Sequence, residues 1–362
     1  MKKCKSLKCC PICESSESTE EWQPPIMVFS DGKLAKRHVL ELCRDCGCYF
    51  KVVDSEWQNQ VSRNYSNEYV SSNYAGLPRE THLGRIKEVC THINTECDKE
   101  HLKILDYGMG RGDFCKYFLK KHDGHCVYGY DLYPQSLEID LLNNESFIEL
   151  DHVNFREDEI KFDYIVLLQT FEHIIEPQKL ISSLLQRLEK KGSLIIQIPS
   201  PYFNPIDLVV YDHIVHFSPF SGQSLAKWHM RHNSKLFDIE TQKSNGKELL
   251  FKLTLSEKGN SVDLEKAIVL SDLYESPHKA LEEFIKRIEK TIERFENVYI
   301  FGTTYSSKWV YYFLNKKFKM YNSVDLKRLN KVNENSLAIM PSPREQAKRI
   351  AADNSISKYI CL

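Results

Sequence analysis

Apolar positions in this chain fall into short runs whose periodicity alternates. Lys103-Ile-Leu-Asp106 and Val127-Tyr-Gly-Tyr-Asp131 are brief apolar runs, each closed by an acid, as buried strands read. Phe162-Asp-Tyr-Ile-Val-Leu-Leu-Gln-Thr-Phe-Glu-His173 and Gly192-Ser-Leu-Ile-Ile-Gln-Ile-Pro199 predict two more strands. Asp113-Phe-Cys-Lys-Tyr-Phe-Leu-Lys and Ser221-Gly-Gln-Ser-Leu-Ala-Lys-Trp-His-Met predict helices, and Leu249-Leu-Phe-Lys-Leu-Thr-Leu a closing antiparallel strand. Strands that alternate with helices predict an α/β fold with a doubly wound sheet. Polar Glu257-Lys-Gly-Asn-Ser261 breaks the pattern, and a mixed-charge helix is expected from about Asp263 to Phe295. Four further runs predict a small second sheet: Val298 to Gly302, Lys319 to Asp325, Ser336 to Pro341, and Ser357 to Leu362. The implied divisions are 1–60, 61–257 and 258–362, with no internal repeat.

The turn after the first core strand carries the most chemistry. Asp106-Tyr-Gly-Met-Gly-Arg-Gly112 joins a strand to a helix. Gly108, Gly110 and Gly112 let the backbone approach a ligand, and the helix end offers free N–H groups. About 20 residues on, Asp131 ends the next strand, the spacing that sets an acid on a cofactor ribose. Dinucleotide enzymes use G-x-G-x-x-G at this turn; here it is G-x-G-x-G behind Asp106. That form, with the FD-x-I…EH…P segment at 162–177 and the fifth strand after Gly192, resembles class I S-adenosylmethionine-dependent methyltransferases. The resemblance covers roughly residues 100 to 200. It implies a Rossmann-like core whose glycine loop faces the methionine part and whose Asp131 holds the ribose hydroxyls. It also puts Asp106 and Gln169 in the cofactor set, and Asp151 against the adenine amine unless that acid is simply in a loop.

Cysteine spacing changes the picture of the N-terminus. Cys10-Pro-Ile-Cys13 and Cys43-Arg-Asp-Cys46 are two C-x-x-C turns separated by strand-like Ile26-Met-Val-Phe and Val39-Leu-Glu-Leu. Each turn can aim two thiolates at one tetrahedral ion, the zinc-ribbon pattern, and four thiolates leave no place for water. A redox cluster is the alternative use of the same residues. The net charge is −1 and the stretch from Glu14 to Glu21 is acidic, which argues against nucleic acid as partner. No run approaches 18 apolar residues, and the start, Met-Lys-Lys-Cys-Lys-Ser-Leu-Lys, lacks a hydrophobic core. The expectation is a cytoplasmic protein, whose twelve cysteines are by default reduced.

A zinc ribbon before such a core, with a further Rossmann-like unit after it, resembles the nucleotide-sugar C-methyltransferase family. The resemblance implies a small nucleotide-linked deoxysugar as substrate and a C-terminal domain without a cofactor of its own. It also gives Tyr65, Tyr69 and Tyr74 a part in covering the cofactor, although an amphipathic packing helix would use them as well. The G-A-x-x-K-G turn of that last domain keeps only Gly302, so no second nucleotide site is expected there.

Proton removal from carbon needs a base with a pKa near neutral, and histidine suits. Beyond the fifth strand runs Pro199 to Ser218, with three prolines at its start and two histidines near its end. Aligned with the family run Y-H-E-H-L-S-Y-F-S, Asp212 takes the place of its Glu, His213 of its second His, and His216 of its second Tyr. Val210 and Tyr211 replace its first two residues. His213 is the first candidate base, with His216, Asp212 and Tyr211 beside it. Glu172-His173, ending the fourth strand, either orients the substrate or relays a proton, or else caps a helix or supports the residues that do. The D-H-x-x-H-F-S form also fits O-methyltransferases, so O- or N-methylation of a small metabolite is a rival expectation. A non-catalytic binding protein is another, against which stand the intact glycines and Asp131. Nothing in the sequence bears on oligomeric state.

Overall fold

The computed structural model describes residues 9–361 except 17, 68–78, 95–100, 134–136, 138, 153–154, 156–159, 234–235, 245, 257–274, 296, 302–303, 319–322, 325–335, 342–346, 349–350, 353–355 and 357. The expectations for Tyr69, Tyr74 and Gly302 lie outside the described residues.

The N-terminal part contributes β1 (Ser18–Trp22), β2 (Met27–Val28), β3 (Leu34–Ala35), β4 (Leu40–Cys43) and β5 (Tyr49–Phe50). Its two C-x-x-C segments are tight turns closed by the backbone. Glu14 N–H donates to Cys10 O at 2.9 Å, and Gly47 N–H to Cys43 O at 2.8 Å. The residue after each second cysteine sits in the left-handed region, Glu14 at φ 59° and Gly47 at φ 73°. Glycine adopts that conformation without a Cβ clash.

Helices α1 (Ser55–Asn67) and α2 (Arg79–Thr91) lead into the core. There follow β6 (Lys103–Tyr107), α3 (Asp113–Lys121), β7 (Cys126–Tyr130), α4 (Ile139–Leu142), β8 (Phe147–Leu150), β9 (Phe162–Leu168), α5 (Pro177–Gln186) and β10 (Leu188–Pro199). After the segment carrying β11 (Val215–His216) come α6 (Ser221–Asn233), β12 (Leu236–Ser244) and β13 (Glu248–Ser256). The seven-stranded sheet has the order β12-β13-β10-β9-β6-β7-β8. Strands β6 to β10 pair in parallel, and β13 closes against β10 antiparallel. Ile104, Leu105, Val166, Leu167, Ile195 and Ile196 are fully buried, since helices cover both faces of the parallel strands. The chain winds outward from β6 through β7 to β8, then returns to β9 and β10 on the other side. Such a switch point opens a crevice at the strand C-termini. Strand β10 starts four residues earlier than expected, shifting register against β9 between Leu188 and Ser193, and β12 is an edge strand that the apolar pattern did not announce.

The last part holds α7 (Pro277–Ile292), β14 (Asn297–Phe301), α8 (Tyr305–Phe318), β15 (Ser323–Val324), β16 (Ser336–Met340) and β17 (Tyr359–Cys361). Its strands form a parallel sheet in the order β15-β14-β16-β17. Helix α7 lies inside the expected 263–295 helix, of which 263–274 is outside the described residues. Its apolar face, with Leu281, Phe284 and Ile288, shares one core with Ile26, Val28 and Tyr49 of the N-terminal part. The buried Trp309 of α8 donates from Nε1 to Ile26 O at 2.9 Å. Among the described residues no helix is long and apolar enough to cross a membrane.

One pairing decides how the site is built. Strand β11 lies in the loop after β10, yet it pairs with β5, Val215 with Phe50 and His216 with Tyr49. The sheet β1-β4-β5-β11 therefore incorporates the loop expected to carry the chemistry.

Candidate active site

The glycine turn sits at the switch point. Gly108 and Gly112 have φ of 84° and 74°, and a Cβ on Gly108 would come within 2.3 Å of Thr170 Oγ1. That contact keeps the cradle open only to glycine. Gly110 N–H donates to Asp131 Oδ2 and Tyr133 N–H to Asp131 Oδ1, both at 2.8 Å. Each carboxylate oxygen keeps a second lone pair for a ligand. Burial raises the Asp131 pKa from its ordinary value. Gln169 sits in the left-handed region at φ 55°, a costly conformation for a side chain with a Cβ and one that clusters at functional positions.

Gly108, Gly110, Asp131, Tyr133, Gln169 and Thr170 line a cavity of about 460 Å³, a volume suited to a small ligand. Gly112 does not line this cavity and packs against Leu141 instead. All three parts of the chain enclose it. The core supplies Gly108, Gly110, Asp131, Gln169, His173 and His213; the N-terminal part supplies Ser30 and Asp31; the last part supplies Tyr305 and Lys308. Asp106 and Asp151 do not line it. Asp106 is buried behind the turn, where Cys115 Sγ donates to it at 3.4 Å and burial pushes its carboxyl up to about 7. Asp151 is exposed at the end of β8.

Of the five candidate catalytic residues, His213 and His173 line the cavity; His216, Asp212 and Tyr211 do not. His213 Nδ1–H donates to Asp207 Oδ1 at 2.8 Å. An ionised carboxylate only accepts, so His213 carries its proton on Nδ1 and its Nε2 is left as a lone pair. Burial works against a protonated His213, but Asp207, Glu172 and Asp212 outweigh it and raise its pKa above 6.5. His173 Nδ1–H donates to Asp212 O at 3.0 Å, and burial, then His213, push its pKa down to about 4. The adjoining Glu172 is 1 % exposed, and burial pushes it up to about 7.

The other three candidates are committed elsewhere. Asp212 accepts from Ser30 N–H at 2.7 Å, Ser30 Oγ at 2.6 Å and Tyr65 OH at 2.8 Å. Tyr211 OH donates to Gln60 Oε1 at 3.0 Å, and burial lifts its pKa to about 12. His216 is fully buried, donates from Nδ1 to Asp207 Oδ2 at 2.7 Å, and accepts from Lys51 Nζ at 3.1 Å. Burial, then Lys51, push its pKa down to about 3. It holds the loop together and has no lone pair turned to the cavity.

Asp207 is the residue that sequence reasoning passed over. It bridges both histidines from a 3-10 turn over Pro205–Val209. Burial opposes its charge, but His213 and His216 hold its carboxyl well below the usual range. The available signal was an acid six residues before His213 in an otherwise apolar run. Arg85 and Glu248, a buried ion pair on the cavity wall, come from α2 and β13 and carried no motif at all.

The four cysteines come together at one end of the N-terminal sheet. Their sulfurs lie within 4.8 Å of one another, with Cys10–Cys46 and Cys13–Cys43 each 3.5 Å apart. Zn–S bonds of about 2.3 Å in a tetrahedron put sulfurs about 3.8 Å apart, so the cluster fits such an ion. Cys48 stands aside, 2.9 Å from Ser221 Oγ.

Residues 81–244 match the model of a family described as "Methyltransferase domain". Among solved structures, the plantazolicin methyltransferase BpumL, in complex with a monoazolic desmethylPZN analog and SAH, is 18% identical over 55% of this chain and 90% of its own, with a TM-score of 0.39. A SAM dependent methyltransferase from Aquifex aeolicus is 16% identical over 51% of this chain and 96% of its own, at a TM-score of 0.36. A putative S-adenosylmethionine dependent methyltransferase from Listeria monocytogenes is 15% identical over 48% and 99%, at 0.35. The chain thus carries a methyltransferase domain, and the match falls on the segment that holds the glycine turn and Asp131.

Proposed function

We propose that the chain methylates a small polar acceptor in this cavity, a nucleotide-linked sugar methylated at carbon. The observation that carries the proposal is one enclosed space shared by the glycine turn with Asp131 and by His213 backed by Asp207. S-adenosylmethionine, when bound, offers a methyl group on an electrophilic sulfonium. The turn and Asp131 would hold it, with Gln169 and Tyr133 at its sides. The acceptor would lie beyond, towards His213, His173 and Tyr305. His213 Nε2 would take the proton from the carbon next to a ketone. The electron pair left on that carbon would take the methyl group that the sulfonium supplies. Alignment of the two reactants and one base is all that such a transfer asks of the protein. We also propose that Cys10, Cys13, Cys43 and Cys46 hold one structural zinc, and that the enzyme works in the cytoplasm.

Incubating the enzyme with methyl-labelled cofactor and a panel of nucleotide-linked ketosugars should put label on carbon in one of them, read by mass spectrometry. Label on oxygen or nitrogen would establish the rival acceptor chemistry instead, and label on none of the sugars would remove that substrate class.

Cofactor choice is testable without an acceptor. Calorimetry should show binding of S-adenosylmethionine or its demethylated product and none of NAD. Asp131→Ala should weaken binding by about 2 kcal/mol, because the ribose hydroxyls lose a charged acceptor in a buried site. Unchanged affinity in that variant would remove Asp131 from the cofactor site.

A further inference from the structure

The base candidate His213 does not stand alone. Behind it runs a buried chain of hydrogen bonds, His213 Nδ1 to Asp207 Oδ1 at 2.8 Å, Asp207 Oδ2 to His216 Nδ1 at 2.7 Å, and His216 Nε2 to Lys51 Nζ at 3.1 Å. Lys51 follows β5 in the N-terminal part, and its ammonium also donates to the carbonyls of Val210 and His213.

We propose that Lys51 and His216 are positioning residues that set the tautomer and base strength of His213, which makes the N-terminal cysteine-bearing sheet part of the catalytic apparatus. The proposal rests on His213 as the base.

The logic is one of donors and acceptors. Lys51 Nζ faces three acceptors, the carbonyls of Val210 and His213 and the His216 Nε2, which matches the three hydrogens of an ammonium. As an ammonium it only donates, so His216 Nε2 accepts and the His216 proton sits on Nδ1. That N–H engages Asp207 Oδ2 and fixes the orientation of the carboxylate. Asp207 Oδ1 is left for His213, whose proton is thereby held on Nδ1 and whose Nε2 lone pair faces the cavity. Turning the His216 ring over would set a lone pair against Asp207 and an N–H against Lys51, two repulsive contacts among buried groups.

Charge acts along the same line. His213 faces Asp207 from the 3-10 turn, Glu172 and His173 from the end of β9, and Asp212 and His216 from its own loop. Lys247 and Tyr305 face Asp207 in turn, and so does Lys51. Lys51 is buried, and burial pushes its pKa down to about 7, with Asp207 and Asp212 working against that fall. A cation held on the far side of Asp207 tempers the pull of this carboxylate on the His213 proton. Removing it should leave His213 easier to protonate.

The test uses the full-length, metal-replete protein with ¹⁵N-labelled histidine and needs no acceptor. Long-range ¹H–¹⁵N spectra report each ring's tautomer and midpoint, with signals assigned by loss in His213→Gln and His216→Gln. Wild type should show both rings protonated on Nδ1. Lys51→Met keeps the unbranched stem and removes the donor; it should raise the His213 midpoint by half a unit or more, and Lys51→Arg should bring it back. His216→Leu, which empties Asp207 Oδ2, should raise it too. A midpoint indifferent to both changes overturns the positioning role and leaves the base assignment standing. A wild-type His213 protonated on Nε2 overturns the base assignment itself. Should neither variant fold, the wild-type His216 decides: a proton on its Nε2 excludes donation from Lys51 and ends the proposal.

Discussion

Replacing Cys43 with serine should release the zinc and take methyl transfer with it. One chain should carry about one zinc, as a single four-thiolate site requires, and metal analysis of the variant should show most of it gone. Metal binding at structural zinc sites is worth on the order of 10 kcal/mol or more, all of it folding free energy. The five short strands of the N-terminal part are split between two small sheets and have little core of their own, so they cannot absorb that loss. The damage reaches the chemistry through named contacts. Ser30 would no longer hold Asp212, Val28 O would no longer accept from Tyr211 N–H, and β5 would no longer pair with β11. Turnover should fall about 100-fold or more, while the demethylated cofactor, which we propose is held mainly by the turn after β6, should keep much of its affinity. Cys48→Ser is the control, because Cys48 lies outside the four-sulfur cluster and should keep its zinc. Full zinc occupancy in Cys43→Ser would refute the four-cysteine assignment.

The strands and turns that share a local signal were legible. Ile104, Leu105, Ile195 and Ile196 are buried on both faces, so their positions read as unbroken apolar runs whatever packs on them. The glycine turn was legible because sterics at φ of 84° admit little else. The C-x-x-C turns were legible because ligand spacing is local. What could not be read is long-range pairing of short strands. Two residues, Val215 and His216, pair with two others more than 160 positions away, and no periodicity records that. The roles within the loop follow from this one pairing. It buries His216 against Lys51, spends Asp212 on Ser30 and Tyr65, and leaves His213 facing the cavity. In sequence, the two histidines differed only by three positions. Asp207 was missed for a related reason: an acid among apolar neighbours looks like a loop residue until its two imidazole partners are in place.

His213→Ala should reduce turnover about 100-fold or more, the scale of a lost general base, while cofactor affinity stays near that of wild type. The geometry separates this residue from its neighbours. His213 Nε2 is a free lone pair at the cavity, whereas His216 has both ring nitrogens engaged and Tyr211 points its hydroxyl at Gln60. His216→Ala should therefore act only through Asp207 and cost less. The pH dependence carries a sign. The base works deprotonated, and its pKa is raised above 6.5, so kcat/KM should climb with pH through a limb that lies above pH 6.5. If carbon is methylated, proton removal comes before or with methyl transfer. Wild type should then exchange the acceptor's alpha proton with deuterated solvent even without cofactor, and His213→Ala should lose exchange and turnover together. Full exchange in the variant would move the base to another residue, with His173 the next group on the cavity wall. No exchange in wild type, with methyl found on oxygen, would end the carbon assignment and leave His213 to deprotonate a hydroxyl.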